Sequence, residues 1–263
     1  MDIKLIAVDL DGTLLNERKE IPAGFFELVT RLHQRGVRTV IASGRQYFNL
    51  LKLFGPLRDK LLFICDNGGL IFEGEKVLRH RAISPAAVSG PYRAAAAVPE
   101  AFTLLCGARA AYMKKPDPVA ERNVRLYYES RCICDDPLAA AADDSIVKIA
   151  IFHPGDAATV LGSLRGAFGP ELVDTLAGKN WLDFMRSGVN KGEALGFLQK
   201  HLAVTPEECM AFGDYLNDLE MLRSVRFSYA MSNAHPDVLA AARFTAPSNN
   251  DDGVMQVLNS FFP

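Results

Sequence analysis

Short apolar runs alternate with longer stretches in which apolar positions recur every three or four residues, over roughly the first 70 positions of the chain. The runs at 3–8, 37–42 and 61–65 have the length and the β-branched content of buried strands. The stretches at 21–35 and 46–54 have the period of amphipathic helices. This alternation predicts a parallel sheet flanked by helices, the arrangement of an α/β fold.

The pattern changes after about residue 83, where the chain becomes rich in Ala and Pro and mixes helices with strand-like runs at 125–128 and 146–152. The first pattern then returns, with a predicted helix at 191–202 and a predicted strand at 209–212. We therefore expect a Rossmann-like parallel-sheet core with an inserted α+β domain of roughly 100 residues, an ordinary size for a small domain. The expected bounds are 1–82 and 183–263 for the discontinuous core and 83–182 for the inserted domain.

Composition and charge narrow the class of partner. The 263 residues are 49% hydrophobic and 23% charged, and the net charge of -2 provides no basic field for nucleic acid or anionic lipid. Asp9 interrupts the first apolar run too early for a signal peptide, and the five cysteines are scattered, as in a protein of the reducing cytoplasm. We expect a cytoplasmic protein with a small-molecule partner and with neither nucleic acid nor membrane as partner.

Two carboxylates, Asp9 and Asp11, emerge where the first strand should end. Side chains alternate along a strand, so both acids lean the same way while Leu10 can turn into the core. Like charges this close are costly unless a cation, a proton or N–H donors compensate them. The pair therefore predicts either a divalent metal site or a division into an acid and a base.

A second acidic cluster, with Asp214, Asn217 and Asp218, follows the predicted strand at 209–212. Taken alone, it is equally well read as a helix cap. If its strand neighbours the first one, the carboxylates meet at one edge and form a hard oxygen site suited to Mg²⁺. Zinc or copper would favour His or Cys, which the cluster lacks.

Two further positions suit a phosphate group. Ser43 and Gly44 lie between a strand and a helix, where a hydroxyl and N–H groups can face a phosphate oxygen, although a simple turn is the alternative. Lys191 lies near a predicted helix start, where the helix dipole disfavours a cation unless the cation faces an anion. The alternative for Lys191 is a solvated surface charge.

The order of these pieces, Asp-x-Asp-Gly-Thr, Ser-Gly-Arg, Lys and then Gly-Asp-x-x-Asn-Asp, resembles the haloacid dehalogenase superfamily of phosphohydrolases. The inserted segment looks like the C2B-type cap of the Cof-type subfamily. Further segments that match the family pattern are 66–69, 188–192, 231–234 and 251–254.

The resemblance implies roles for the four carboxylates. Asp9 corresponds to the nucleophile that forms an aspartyl phosphate, and Asp11 to the general acid that protonates the leaving oxygen and then activates water. Mg²⁺ would be held by Asp9, by the backbone carbonyl of Asp11 and by Asp214, with Asp218 in or just outside its coordination shell.

The resemblance also implies a set of residues for phosphate and substrate. Thr13 would orient Asp11 or its loop, and Arg45 and Asn67 would reach the substrate unless they are structural. The complete expected set is Leu10, Thr13, Ser43, Gly44, Arg45, Asn67, Lys191 and Asn217.

The function implied by the resemblance is a Mg²⁺-dependent phosphomonoesterase that acts on a small phosphorylated metabolite, either a sugar phosphate or a phosphorylated cofactor. Two alternatives remain open: a phosphotransferase such as a phosphomutase on the same residues, and a regulator that binds a phosphorylated metabolite and turns it over slowly. A nucleotide-binding module is disfavoured because no Gly-x-Gly-x-x-Gly follows the first strand. Both a monomer and a homodimer are compatible with the sequence.

Overall fold

The computed structural model describes residues 2–164, 166–177 and 179–263. The strands are β1 Leu5–Asp9, β2 Arg38–Ala42, β3 Leu61–Cys65, β4 Leu70–Glu73, β5 Lys76–His80, β6 Phe102–Gly107, β7 Ala111–Met113, β8 Arg131–Ile133, β9 Ile146–Phe152, β10 Leu172–Leu176, β11 Trp181–Arg186, β12 Cys209–Gly213, β13 Phe227–Met231 and β14 Phe244–Ala246. The α-helices are α1 Phe25–Gln34, α2 Tyr47–Phe54, α3 Pro85–Ala96, α4 Pro118–Tyr127, α5 Pro137–Ala140, α6 Ala157–Leu164, α7 Lys191–His201, α8 Leu219–Arg223, α9 Pro236–Ala241 and α10 Gly253–Phe261.

The chain divides into two compact units. The core unit consists of Met1–Ser43, Phe54–Leu78 and Asn190–Pro263, and the inserted unit consists of Gly44–Leu53 and Arg79–Val189. Each unit has its own cluster of buried apolar side chains, so each has the core that a domain needs.

The first sheet has the strand order β14-β13-β12-β1-β2-β3-β4-β5. The pairings from β14 to β3 are parallel, and β4 runs antiparallel to β3. β1 lies between β2, which follows it closely in the chain, and β12, which comes after the insertion. The strand order therefore reverses beside β1, and in open α/β sheets ligands bind at the carboxyl ends of the strands at such a point.

Burial explains why β1 forms where it does. All five of its residues are buried, as expected for a parallel strand covered on both faces. Leu5 and Ala7 pack in one cluster with Ala194 and Leu198 of α7, so one face of the strand is covered by that helix. The strand and the helix that begins with Lys191 are thus held together by apolar packing.

The inserted unit has a separate, mostly antiparallel sheet with the order β10-β11-β9-β6-β7-β8. Trp181, the single tryptophan of the sequence, is buried at the start of β11. Its ring centroid lies 5.8 Å from those of Tyr127 and Tyr128 and 5.3 Å from that of Phe152. Trp181 therefore packs in the interior of this unit.

The bounds of the inserted unit differ from the predicted 83–182. Residues 183–186 belong to β11, which pairs with β9 of the inserted sheet, for example Asp183 with Ala150. The inserted unit accordingly extends to Val189. Residues 181–185 form a strand, but an apolar pattern does not distinguish one sheet from the other.

The segment Gly44–Leu53 also belongs to the inserted unit and not to the predicted core. The Gln46 side chain accepts a hydrogen bond from the N–H of Ser130 at 2.9 Å and donates to the Ser130 carbonyl at 2.9 Å. Asn49 donates to the carbonyl of Leu126 at 3.1 Å. Polar side chains of α2 therefore bind the end of α4 and the residues that follow it.

The predicted strand at 125–128 is wrong, because most of this segment lies in α4. The Asp117 carboxylate caps that helix by accepting from the N–H groups of Val119 at 2.7 Å and Ala120 at 2.9 Å. Ala120 and Val124, four residues apart, form its buried face. The Asp-Pro start and this spacing are ordinary helix signals that outweigh the aromatic content of the segment.

Other predicted elements are confirmed. The strands at 61–65 and 146–152 have the bounds that the sequence predicts, and the helix at 191–202 ends one residue earlier than expected. The α/β class with a parallel-sheet core is confirmed as well. Among the described residues, no helix is long and apolar enough to cross a membrane.

Candidate active site

The carboxyl edge of the first sheet brings together residues that are far apart in the sequence. Asp9 is the last residue of β1, Ser43 directly follows β2 and Asp214 directly follows β12. The register pairs Asp9 with Ala42, so the ends of β1 and β2 lie side by side. Val8 of β1 pairs with Phe212 of β12, so the strands that precede the two acidic clusters are neighbours, as the prediction of a shared edge requires.

Lys191 is the first residue of α7, and its side chain is fully buried between two acids. Its Nζ donates to Asp9 Oδ1 at 2.5 Å and to Asp218 Oδ1 at 2.6 Å. The preceding residue, Asn190, caps the helix by accepting from the N–H of Glu193 at 2.8 Å. A cation at this end of a helix is disfavoured by the dipole. Its placement is explained by the two carboxylates that it faces.

Asp214 completes a cluster of three carboxylates. Asp9, Asp214 and Asp218 each offer an oxygen, and these oxygens lie within 4.8 Å of one another. Thr13 Oγ1 donates to Asp214 Oδ1 at 2.8 Å, so Thr13 orients Asp214. Its expected role in orienting Asp11 or its loop remains a prediction. Asp218 Oδ2 accepts from the N–H groups of Asp214 at 3.0 Å and Tyr215 at 3.2 Å, and these bonds fix its other oxygen towards Lys191.

Burial and neighbouring charge raise the pKa values of Asp9 and Asp214. Burial raises the pKa of Asp9 well above its ordinary value, and the charge of Asp218 adds to this, while Lys191 opposes it. Burial, followed by the charge of Asp218, raises the pKa of Asp214 to about 6. Burial alone would lower the pKa of Lys191, but the charges of Asp218 and Asp9 outweigh it and raise that pKa above its ordinary value. Three carboxylates and one ammonium leave an excess of negative charge in a buried volume.

This donor set fits a hard divalent cation. The three side chains offer only oxygen, the ligand that Mg²⁺ and Ca²⁺ take, and a cation would compensate their excess charge. Zinc and copper sites generally contain His or Cys, and neither belongs to the cluster. The Asp11 carboxylate is outside the cluster as well. The expected ligand atom of Asp11 is its backbone carbonyl, and this remains a prediction.

Asp11 instead has a basic partner that the sequence did not indicate. Lys19 Nζ donates to Asp11 Oδ1 at 2.8 Å. The Asp11 side chain is 29% exposed, in contrast to that of Asp9 at 8%. The two acids of the first motif therefore occupy different environments, one closed around Lys191 and one nearer to the surface.

Two asparagines hold the loop that carries Asp11 and were also missed. Asn233 Nδ2 donates to the carbonyl of Gly12 at 2.8 Å, and Asn249 Nδ2 donates to the carbonyl of Leu15 at 2.8 Å. The N–H of Asn249 in turn donates to Asn233 Oδ1 at 3.1 Å. Asn233 lies in the segment 231–234, which already matched the family pattern, whereas no sequence signal indicated Asn249.

Four further expected residues lie in the core unit. Asn217 Nδ2 donates to Asn67 Oδ1 at 3.0 Å, and the N–H of Asn67 donates to the carbonyl of Ser43 at 3.0 Å. Ser43 is itself held by its N–H, which donates to the carbonyl of Ile64 at 2.8 Å. The side chain of Leu10 is fully buried, so a role in phosphate binding is restricted to its backbone.

Gly44 and Arg45 fall within the inserted unit. The carbonyl of Gly44 accepts from Lys148 Nζ at 3.0 Å. Arg45 is buried, donates to Asn49 Oδ1 at 3.0 Å and has its guanidinium carbon 5.3 Å from the centroid of the Tyr127 ring. These contacts give Arg45 a structural role, and its expected contact with substrate remains a prediction.

Comparison with known proteins agrees with this geometry. Residues 6–258 match the model of a family described as haloacid dehalogenase-like hydrolase. The chain is 33% identical over 262 residues to the 5-amino-6-(5-phospho-D-ribitylamino)uracil phosphatase of Escherichia coli K12, covering 98% of this chain and 96% of that one. It is 30% identical over 238 residues to an HMP-PP phosphatase of Enterobacter sp. strain 638, covering 90% of this chain and 87% of the other.

A solved structure shows the same fold over the whole length. A sugar phosphatase of subclass IIB of the HAD superfamily superimposes with a TM-score of 0.83 at 23% identity, covering 98% of each chain. The family match and the two relatives confirm the resemblance found in the four sequence motifs. With its parallel-sheet core, its acidic strand ends and a family match over nearly the full length, the chain belongs to the haloacid dehalogenase-like hydrolases.

Proposed function

We propose that the protein is a Mg²⁺-dependent phosphomonoesterase that hydrolyses a small phosphorylated metabolite, a sugar phosphate or a phosphorylated cofactor. The observation that carries the proposal is the group formed by Asp9, Lys191, Asp214 and Asp218 at the carboxyl end of β1. A buried nucleophile candidate beside a lysine and two further acids suits attack on an anionic phosphorus centre. A protein that only binds phosphate has no need of this combination.

In the first step, an oxygen of Asp9 attacks phosphorus, and the bond between phosphorus and the leaving oxygen breaks. Asp11 donates a proton to that oxygen, so the product leaves as an alcohol. The phosphoryl group is then bonded to Asp9 as an acyl phosphate. Splitting hydrolysis in this way replaces one difficult displacement by two easier ones.

In the second step, a water molecule attacks the phosphoryl group and Asp11 accepts its proton. Inorganic phosphate is released and Asp9 returns to its carboxylate form. Lys191, Ser43, the N–H of Gly44 and Asn217 would bind the phosphoryl oxygens and stabilise the charge that is spread over them in both transition states. The bonds from Ile64 and Asn67 to the Ser43 backbone support a fixed position for its hydroxyl.

A bound Mg²⁺ would neutralise charge between the anionic nucleophile and the anionic phosphate. Asp9, Asp214, Asp218 and the backbone carbonyl of Asp11 would hold it. Thr13 supports this assignment because it orients Asp214. Asp218 already binds Lys191 and two backbone N–H groups, so it acts mainly by fixing these partners around the metal position.

The substrate class rests on the relatives. The two named relatives are a phosphatase of a phosphorylated ribitylaminouracil and an HMP-PP phosphatase, so chains of this kind act on different small phosphorylated molecules.

The test is hydrolysis of p-nitrophenyl phosphate with Mg²⁺ by the wild type and by Asp9→Asn. Substitution removes the nucleophilic oxygen while keeping the size of the side chain, so we expect turnover to fall by roughly three orders of magnitude or more. Asp59→Asn is the matched control, because the Asp59 side chain is 80% exposed in the same unit and should not affect turnover. Unchanged turnover in Asp9→Asn would contradict the assignment, and transfer to a sugar without phosphate release would identify a transferase.

A further inference from the structure

The ion pair between Lys19 and Asp11 has no role in the reaction described above. Lys19 Nζ lies 2.8 Å from Asp11 Oδ1, on a turn that follows the Asp11 loop. We propose that Lys19 is a positioning residue, which holds the Asp11 carboxyl group in the orientation from which it meets the leaving-group oxygen. This inference rests on the proposed phosphatase function and concerns the step in which the leaving group departs.

The backbone at Lys19 supports this role. Its φ of +62° lies in the left-handed region, which residues with a Cβ rarely adopt and which glycine or asparagine adopts more readily. The conformation is held on both sides, because the N–H of Lys19 donates to the Asn16 carbonyl at 2.9 Å and the N–H of Glu20 donates to Asn16 Oδ1 at 3.0 Å. A lysine at this position carries a backbone cost, and its ammonium reaches Asp11.

The turn that carries Lys19 is tied to the rest of the core unit. A backbone bridge joins Asp11 to Leu15. The carbonyl of Leu15 accepts from Asn249 at 2.8 Å, and the N–H of Glu17 donates to Asn250 Oδ1 at 3.0 Å. The loop that carries Lys19 is therefore fixed at several points. A positioning residue requires such a fixed backbone.

The ion pair between Lys19 and Asp11 should affect the orientation of the Asp11 carboxyl group more than the stability of the fold. The Lys19 side chain is 53% exposed, and exposed ion pairs contribute little to stability. A hydrogen bond to one oxygen nevertheless restricts rotation of the carboxyl group about its Cβ–Cγ bond. Asp11 then presents its oxygens in one orientation when substrate arrives, and such alignment is a large part of catalytic efficiency.

The effect of a well-positioned proton donor on the rate depends on how basic the leaving group is. An alkyl phosphate loses a strongly basic alkoxide that must be protonated as it departs, whereas p-nitrophenolate is a weak base that departs without a proton. Loss of Lys19 should therefore slow the hydrolysis of alkyl phosphates much more than that of p-nitrophenyl phosphate. A general loss of folding or of phosphate binding would reduce both rates equally.

The experiment compares the wild type with Lys19→Met, Lys19→Arg and Arg18→Met at saturating Mg²⁺. The substrates are p-nitrophenyl phosphate and the fastest of glucose 6-phosphate, ribose 5-phosphate and glycerol 3-phosphate. For Lys19→Met we expect kcat on the alkyl phosphate to fall roughly tenfold or more and kcat on p-nitrophenyl phosphate to fall less than about threefold, with KM for both near the wild-type value. Lys19→Arg keeps a donor and should recover most of the alkyl phosphate activity.

Arg18→Met is the matched control from the same turn. The Arg18 side chain is 79% exposed and binds Glu20 at 2.8 Å, so its removal deletes an equal charge without touching Asp11. We expect its kcat on both substrates to equal that of the wild type. Lys19→Gly separates fold from function, because relief of the left-handed strain offsets the greater freedom of glycine in the unfolded chain. Its Tm should stay within about 2 °C of the wild type while alkyl phosphate activity falls.

The outcomes separate the two proposals. Suppose that the wild type hydrolyses both substrates. If the kcat of Lys19→Met equals that of the wild type, or is lower by the same factor on both substrates, the role of Lys19 is overturned and the phosphatase proposal stands. A wild type that releases no phosphate from any of these compounds with Mg²⁺ overturns the phosphomonoesterase proposal and the role of Lys19 with it.

Discussion

At the scale of single residues, the two acids of the first motif are distinguished by their surroundings. Asp9 is enclosed by Lys191 and two further carboxylates, whereas Asp11 is partly exposed and bound to Lys19. Burial and the charge of Asp218 raise the pKa of Asp9, so the ionised form of the proposed nucleophile depends on Lys191 and on the proposed Mg²⁺, whereas Asp11 has to carry a proton in the first step. Two neighbouring residues of one type can thus serve opposite ends of the same reaction.

Asp214 should make the stability of the metal-free protein depend on pH. Its pKa is raised from 3.8 to about 6 in the folded protein, mainly by burial. Between these values the folded state binds more protons than the unfolded state, so stability falls as pH rises through this window. The shift corresponds to about 3 kcal/mol, reached above pH 6.

The measurement is urea unfolding in EDTA at several pH values between 4 and 7, with Asp214→Asn as the control that lacks the titrating group. The difference in unfolding free energy between wild type and Asp214→Asn should decrease with pH across this range. Added Mg²⁺ should reverse the trend, because it binds the ionised carboxylates. A difference that is constant with pH would contradict the raised pKa.

The sequence predicted the main residues of the site because their chemistry is concentrated at strand ends. Asp9 ends an element with a clear apolar pattern, Ser43 and Asp214 each follow one, and Lys191 begins one. Lys19 could not be predicted in this way, because its contact depends on the left-handed turn at its own position. A lysine in a polar stretch has the same local pattern whether it faces solvent or a carboxylate.

At the scale of elements, Gly12 determines how closely the loop after β1 approaches Asp214 at the carboxyl end of β12. Gly12 has a φ of +84°, and a Cβ on it would collide with the Asp214 carboxylate. Gly36, at the end of α1, has a similar φ of +79° but nothing within 4 Å of where its Cβ would lie. The two glycines have the same backbone requirement and differ only in the space around them.

Substitution of each glycine by alanine separates these effects. Gly36→Ala should cost about 1 kcal/mol of stability through its backbone and leave activity unchanged. Gly12→Ala should cost more and displace Asp214, raising the Mg²⁺ concentration for half-maximal activity roughly tenfold or more. Urea unfolding and a Mg²⁺ titration of p-nitrophenyl phosphate hydrolysis measure the two quantities. Equal Mg²⁺ requirements in the two variants would contradict a role for the close approach at Gly12.

The elements that were predicted best are those whose hydrophobic pattern fits a strand or a helix but not both. β3 is a continuous apolar run and β9 is interrupted only by Lys148, so neither has an amphipathic helical period and both were found with correct bounds. Residues 125–128 mislead because two tyrosines end a helix whose start signal, Asp117-Pro118, lies eight residues earlier. Residues 183–186 were assigned to the wrong unit because their pairing with β9 is a long-range property that a local pattern lacks.

At the scale of the whole molecule, two separate apolar cores predict two separable unfolding transitions. All members of the proposed Mg²⁺ site belong to the core unit, so Mg²⁺ should stabilise that unit in proportion to its occupancy. Trp181, the single tryptophan, is buried in the inserted unit, so its fluorescence reports on that unit alone.

The measurement is thermal unfolding with EDTA or with Mg²⁺, followed by tryptophan fluorescence and by circular dichroism. Mg²⁺ should raise the Tm of a transition seen by circular dichroism while the fluorescence Tm remains in place. A single transition that moves equally for both probes would show that the two units unfold together. Asp9→Asn is a suitable control, since its weaker metal site should reduce the shift.

The asparagine cap at Asn190 has a consequence for how such enzymes can diversify. The core unit resumes at this residue, and the next residue is Lys191 of the site. Because the cap starts the helix at a position set within the core unit, the length of the preceding insertion has no bearing on where the lysine lies. A different insertion can therefore precede Asn190 without a change in the residues at the sheet edge.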